Sequence, residues 1–407
     1  MEVVVTSKEI IKPSRPTPQH LRHSLPLSLF DQIMFPVFIP MVFFYSKASK
    51  KGNNDIIKAT SLETSNILKA SLAETLVKFY PLAGQVKEHH TECNDQGVPY
   101  FEAQAKCNIS QVVAESSLTK LNKLLPYGEQ AGDLALAIQV SFFDCGGTAI
   151  GVCLNHKAGD ASSLSSFVNC WAGIARGDTR MFLICPRFDF AKLFPPVEKQ
   201  ISKGCSYCSG SARRFVLTAS AISAMRSKYA KPTTRTEAVS AFVWTRFLAA
   251  RNGKDASAKR PLPLLVHQCV DLRSRIDPPL SEHYFGNLVG YARVGSSMDA
   301  AMADDNVFLA KSNDAIRRVD DKFVKNLQNA DSAHRFLQDT KDANSSSLYF
   351  SSLFKFPLYH CLSGSGGMSE LLNPIQVNNF DVVVILRIAP DFNLNVLPHS
   401  SLLCSWF

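Results

Sequence analysis

A histidine stands four residues before an aspartate in the run Asn155-His156-Lys157-Ala158-Gly159-Asp160. Histidine is the side chain whose unperturbed pKa lies nearest neutrality, so it can take a proton from a hydroxyl as that oxygen attacks an acyl carbon. If the acyl group arrives as a thioester it is already activated. One base and an oxyanion stabiliser then suffice without a covalent acyl-enzyme. No G-x-S-x-G elbow is present to suggest a Ser/His/Asp triad. The spacing is weak by itself, since with ten histidines and average aspartate usage about half a match arises by chance. A histidine without context more often serves packing than chemistry. Asp160 has two structural readings against a catalytic one: it caps the helix that follows, or it pairs with a distant arginine and sets the turn that aims His156. The structural role is favoured.

These side chains need a rigid mount. Two β-rich runs, Leu136 to Phe143 and Thr148 to Asn155, flank Asp144-Cys145-Gly146-Gly147, which is a hairpin signature. The second run delivers His156 to a strand end. A helix is predicted after it, with Leu164, Phe167, Val168 and Trp171 on one face. Upstream, the clearest helix is predicted over 60–80, opened by a capping box of Thr60 and Glu63 and stopped by Pro81. Leu82-Ala83-Gly84 then turns the chain toward a strand at 100–105. A composition shift over 183–211, with Pro186, Pro195 and Pro196 ahead of a Ser/Gly/Cys cluster, reads as an interdomain crossover. Beyond it come a strand at 215–217 and a helix at 236–248, capped at Thr234 or Thr236. Strands and helices mix in both halves, so an α/β or α+β architecture is expected. The predicted division is an N-terminal domain over 1–185, a crossover linker over 186–211, a second domain over 212–360 and a divergent tail over 361–407.

Bulk properties narrow the class. At 407 residues and 46% hydrophobic content the chain can bury a sizeable core and excludes a small stapled scaffold. The formal charge of +9 suits a phosphate-bearing ligand, but Lys and Arg are scattered and not interleaved with aromatics, which argues against nucleic acid. Eleven cysteines without regular spacing read as reduced thiols, and the lone C-x-x-C of Cys205 and Cys208 reads as a loop with two free thiols rather than a metal or redox site. The longest apolar stretch, 33–45, is too short for a bilayer and holds Pro36 and Pro40. It is read as buried extended chain or pocket lining. No leader sequence is recognised, and a cytoplasmic protein free of metal and membrane is expected.

Several ordered blocks together carry a family likeness: Ile11-Lys12-Pro13-Ser14 with Pro16-Thr17-Pro18, Leu27-Ser28-Leu29-Phe30-Asp31-Gln32, Tyr80-Pro81-Leu82-Ala83-Gly84, and His156 to Asp160 running into Ala161-Ser162-Ser163-Leu164. Further on stand Thr234-Arg235-Thr236-Glu237-Ala238-Val239 ahead of Trp244, then Asp271-Leu272-Arg273-Ser274-Arg275, Pro278-Pro279-Leu280 and Phe285-Gly286-Asn287. The chain to about Tyr359 resembles the plant BAHD coenzyme A-dependent acyltransferases, and looks most like their alkaloid O-acetyltransferase branch. The resemblance implies an α/β fold of two chloramphenicol-acetyltransferase-like domains of similar topology, with a channel between them for acyl-CoA and acceptor. It implies His156 as general base and Asp160 turned away and paired with Arg273, or with Arg275 in another register. It further implies acetyl-CoA as co-substrate with no permanently bound cofactor, an alkaloid-like alcohol as acceptor, and a monomer. The stretch Tyr284-Phe285-Gly286-Asn287-Leu288 is similar to one in malonyl-transferring relatives, which leaves the donor open.

The likeness breaks after Tyr359. Where the family carries Asp-Phe-Gly-Trp-Gly, this chain reads His360-Cys361-Leu362-Ser363-Gly364-Ser365-Gly366-Gly367. Leu353 stands where many members have tryptophan, so Ser351 is the best remaining oxyanion donor. A slip of reading frame near 360–362 would account for the tail and would leave weak turnover. The competing reading is therefore an impaired or inactive member, or a small-molecule binding protein.

Overall fold

The computed structural model describes residues 1–47, 54–114, 118–128, 131–197, 211–229, 231–252, 264–295, 304–329, 331–333, 336, 346–356, 358, 372–374, 382–388 and 402–406. The chain divides into two compact units. The first holds Met1–Glu198, Ser281–Asn287 and Phe356–Val377, and the second holds Lys199–Leu280, Leu288–Lys355 and Asn378–Phe407.

The first unit is built on a six-stranded mixed sheet, in the order Val3–Ile11, Val98–Ala105, Leu136–Phe143, Thr148–Asn155, Phe38–Lys47 and Leu372–Pro374. The hairpin read from the sequence is its centre. Leu136 lies opposite Leu154 and Phe142 opposite Thr148 in antiparallel register, and Gly146 takes the positive φ of 80° that the tight turn requires. Every residue of Thr148–Asn155 is buried, as expected of a strand covered on both faces. The 33–45 stretch becomes the strand Phe38–Lys47, antiparallel to Thr148–Asn155, while Phe35 and Pro36 before it are exposed.

The long helix runs Asn54–Lys78, so it starts before the Thr60 and Glu63 pair that was read as its cap. A capping residue must leave helical geometry. The helix instead continues upstream to Asn54, and Thr60 lies inside it. A 3-10 turn over Tyr80–Ala83 ends the run. The helix Ala161–Ala175 packs beside it, with the Trp171 indole nitrogen donating to the Leu68 carbonyl at 3.2 Å and to the Ser71 hydroxyl at 3.1 Å. Leu164, Phe167, Val168 and Trp171 are buried as expected.

The second unit has its own six-stranded mixed sheet, in the order Val289–Val294, Leu264–Asp271, Ser346–Ser352, Leu402–Trp406, Val382–Ile388 and Ser211–Leu217. One face carries a core of Trp244, Phe308, Val266, Leu348 and Phe350. Trp244 and Phe308 stack at 5.4 Å between centroids. The helix Arg235–Asn252 is opened by Thr234: its hydroxyl accepts from the Glu237 amide at 3.2 Å, and the Glu237 carboxylate accepts from the Thr234 amide at 2.7 Å. That settles the cap on Thr234.

The tail contributes to both sheets. Leu372–Pro374 pairs with the strand Phe38–Lys47, and Leu402–Trp406 lies between Ser346–Ser352 and Val382–Ile388. Val382–Ile388 is thus a sheet strand, and the described parts of the divergent segment are integral to the fold. Residues 360–362, near which the frame slip is expected, and the Cys205 and Cys208 pair lie outside the described residues. Among the described residues no helix is long and apolar enough to cross a membrane, and no group of three or more His, Cys, Asp or Glu could hold a metal ion.

Candidate active site

His156 follows the last residue of the strand Thr148–Asn155, and its backbone N–H donates to the Val37 carbonyl at 2.8 Å. The turn that carries it is organised by Asn155, which is fully buried. The Asn155 amide oxygen accepts from the Lys157 N–H at 3.0 Å, its amide nitrogen donates to the Leu134 carbonyl at 2.9 Å, and its backbone carbonyl accepts from Ala158 at 2.8 Å. Such an Asx turn replaces the lost ladder bonds at a strand end. Gly159 closes the turn where a side chain would not fit, since a Cβ there would sit 2.8 Å from that of Ser163. Asp160 is the N-cap of the helix Ala161–Ala175: its Oδ1 accepts from the Ser163 N–H at 3.0 Å.

The rest of the site comes from Ser281–Asn287, a segment of the chain's second half that belongs to the first unit. Aromatic packing holds it. Phe285 lies 5.5 Å from both Phe79 and Phe188 between centroids, and Tyr284 stacks on Phe190 at 5.2 Å with the Arg187 guanidinium 4.3 Å from its ring. Backbone bonds from Arg187 to His283 and from Phe285 to Arg187, both 2.8 Å, add a ladder. Gly286 has φ 138°, and a Cβ there would meet Phe190 at 2.6 Å, so glycine is required on both counts. The Ser163 hydroxyl accepts from the Gly286 N–H at 2.9 Å and donates to its carbonyl at 2.8 Å.

This support delivers Asn287 to His156. Asn287 Oδ1 is 3.1 Å from His156 Nδ1, and Asn287 Nδ2 is 2.7 Å from the His156 carbonyl. The same Nδ2 and the Asn287 backbone N–H each lie 2.8 Å from Asp31 Oδ1. The other Asp31 oxygen accepts from the Ser28 N–H at 3.0 Å and the Ser28 hydroxyl at 2.6 Å, within the capping box that opens the short helix Leu29–Gln32. Asp31, Ser28 and Asn287 are buried, and His156 is half-buried.

Burial is the largest influence on the His156 imidazole and lowers its pKa, against opposing pulls from its own backbone, Asp160, Asn287 and Asp31. The ring is therefore neutral at neutral pH and able to accept a proton. Burial pushes the Asp31 carboxyl upward, against hydrogen bonds from Ser28 and Asn287 that favour its ionised form.

Of the residues singled out by sequence, His156 and Asp160 stand at either end of one turn. Arg273 and Ser351 belong to the second unit. Arg273 is buried, with Nη1 3.2 Å from Asp271 Oδ1. Arg275 reaches the Val319 carbonyl at 3.5 Å. Ser351 is half-buried on the strand Ser346–Ser352 and hydrogen-bonds Cys269, whose thiol burial pushes up to about 12. Sequence reasoning assigned no role to Asn155, Asn287, Asp31 or Ser163. The Ser28-x-x-Asp31 spacing is visible as a capping box, but its tie to residue 287 is not.

A model of the Transferase family matches residues 1–369, extending past Tyr359 where the likeness was expected to fade. Limonoid 21-O-acetyltransferase of Melia azedarach is 34% identical over 339 residues, covering 80% of this chain and 76% of the relative. Stemmadenine O-acetyltransferase of Catharanthus roseus is 32% identical over 344 residues, covering 80% and 78%. The crystal structure of vinorine synthase superposes with a TM-score of 0.74 at 28% identity, covering 92% of this chain and 89% of that one. Two mixed α/β units, a strand-end histidine and this span of similarity agree: the chain belongs to the Transferase family, the BAHD group of acyl-CoA-dependent O-acyltransferases.

Proposed function

We propose that this chain transfers an acetyl group from acetyl-CoA to a hydroxyl of a plant specialised metabolite, an alkaloid being the expected acceptor, with His156 as general base. The observation that carries the reading is the His156 imidazole itself: half-buried at a strand end, tied through one nitrogen to Asn287, and shifted by burial toward its neutral form. The ring takes the acceptor's hydroxyl proton as the oxygen attacks the thioester carbonyl. Collapse of the tetrahedral intermediate breaks the carbon–sulfur bond, and the departing thiolate takes the proton back from the imidazolium. Ser351 is assigned to the oxyanion, and Asp160 with Arg273 to support of the turn. Relatives named as O-acetyltransferases of a limonoid and of stemmadenine support acetyl as the group and an alcohol of the limonoid or alkaloid kind as the acceptor. A cytoplasmic monomer belongs to the same reading.

The test is release of free thiol from acetyl-CoA by the purified chain, with a panel of alkaloid and limonoid alcohols. The wild type should release thiol in an acceptor-dependent manner. His156→Ala should be slower by about 100-fold or more, the usual contribution of a general base. The missing Asp-Phe-Gly-Trp-Gly run after Tyr359 favours a second reading, a family member with impaired turnover. If both proteins release thiol equally slowly on every alcohol, that second reading stands and the first falls.

A further inference from the structure

We propose that Asn287 is a positioning residue for His156: it holds the imidazole in the tautomer with the proton on Nδ1 and leaves Nε2 as the atom that accepts the substrate proton. The inference rests on the general-base reading above and adds which residue fixes the acting nitrogen.

The assignment follows from donor and acceptor logic. One end of the Asn287 amide contacts the His156 carbonyl at 2.7 Å and Asp31 Oδ1 at 2.8 Å. A carbonyl accepts and never donates, so that end is the NH2 group. The opposite end, 3.1 Å from His156 Nδ1, is then the amide oxygen, which has no proton to give. Nδ1 must supply it. Asp31 makes the orientation robust: its Oδ1 receives two N–H donors from Asn287, so it is an acceptor whether or not the carboxyl carries a proton on Oδ2. The carboxylate also polarises the amide, which makes its oxygen a better acceptor. Because the group next to the ring is a neutral amide, with the carboxyl one residue further away, the ring is oriented without the strong pull toward imidazolium that a directly bonded carboxylate exerts.

The test begins with the wild-type chain. Long-range proton–nitrogen correlation spectra of protein carrying 15N-histidine, with the His156 signals identified by their loss in His156→Gln, should show a protonated Nδ1 and a bare Nε2. A protonated Nε2 overturns the proposal without any variant. In Asn287→Leu the Nε2-protonated form should become populated, and kcat should fall about 10- to 100-fold while KM for acyl-CoA stays within about twofold. An unchanged tautomer in that variant, or an unchanged kcat, overturns it. Asn287→Asp keeps an acceptor at the ring but sets its second oxygen against Asp31 Oδ1 and the His156 carbonyl, where the amide nitrogen donated. It should therefore keep the Nδ1 proton that the Leu variant loses while melting at a lower temperature than the wild type. A bare Nδ1 in this variant counts against the proposal. Failure of the base reading is distinct: His156→Ala would retain turnover while the wild-type spectrum still showed Nδ1 protonated.

Discussion

Burial and hydrogen bonding pull His156 in opposite directions, and burial prevails. The base must be unprotonated to act, so kcat/KM should rise with pH as the ring loses its proton and level off above. A lowered pKa places the midpoint of that rise below the ordinary histidine value of about 6.5. A midpoint above it, measured with a saturating acceptor in buffers of constant ionic strength, would contradict the account of the ring's surroundings. His156 was legible in the sequence because few side chains do this chemistry and because its neighbours fall in a familiar order. Asn287 was not. It lies 131 residues from His156, its side chain carries no charge to draw attention, and its role exists only once Ser281–Asn287 joins the first unit.

The turn that presents the base depends on where one strand stops and one helix starts. Asp160 is 2% exposed and caps that helix. Asp160→Ala should therefore lower stability by about 1–2 kcal/mol, read as a drop in the thermal midpoint, whereas Asp160→Asn keeps a capping oxygen and should fall between the two. Equal losses in both would point to the charge rather than the cap. The hairpin Leu136–Phe143 and Thr148–Asn155 was fully legible, because glycines mark its turn and apolar runs mark its arms. The start of the helix Asn54–Lys78 was misplaced, because a Thr-x-x-Glu spacing on a partly exposed helix face looks the same as one at a terminus.

The two units are not consecutive stretches of chain, and no reading of composition along the sequence reveals that. Linear cues such as proline clusters mark places where the backbone can cross. They do not reveal that 281–287 returns to the first unit or that the tail supplies strands to both sheets. The strand Leu402–Trp406 joins Ser346–Ser352 to Val382–Ile388, and Val382–Ile388 is the partner of Ser211–Leu217. Removing residues 402–407 should leave unpaired strand edges and give aggregated protein on size-exclusion chromatography. A truncated chain that elutes as a single sharp peak with the wild-type melting midpoint would refute that. The same pairing bears on biosynthesis. As the ribosome elongates the chain, Ser211–Leu217 emerges well before its ladder partner exists, and at cellular translation speeds the wait is on the order of ten to thirty seconds. For that interval a segment bearing Phe215 and Val216 has no mate, so nascent-chain chaperones should be needed for good yield, and slower synthesis should lower the yield because it lengthens the wait.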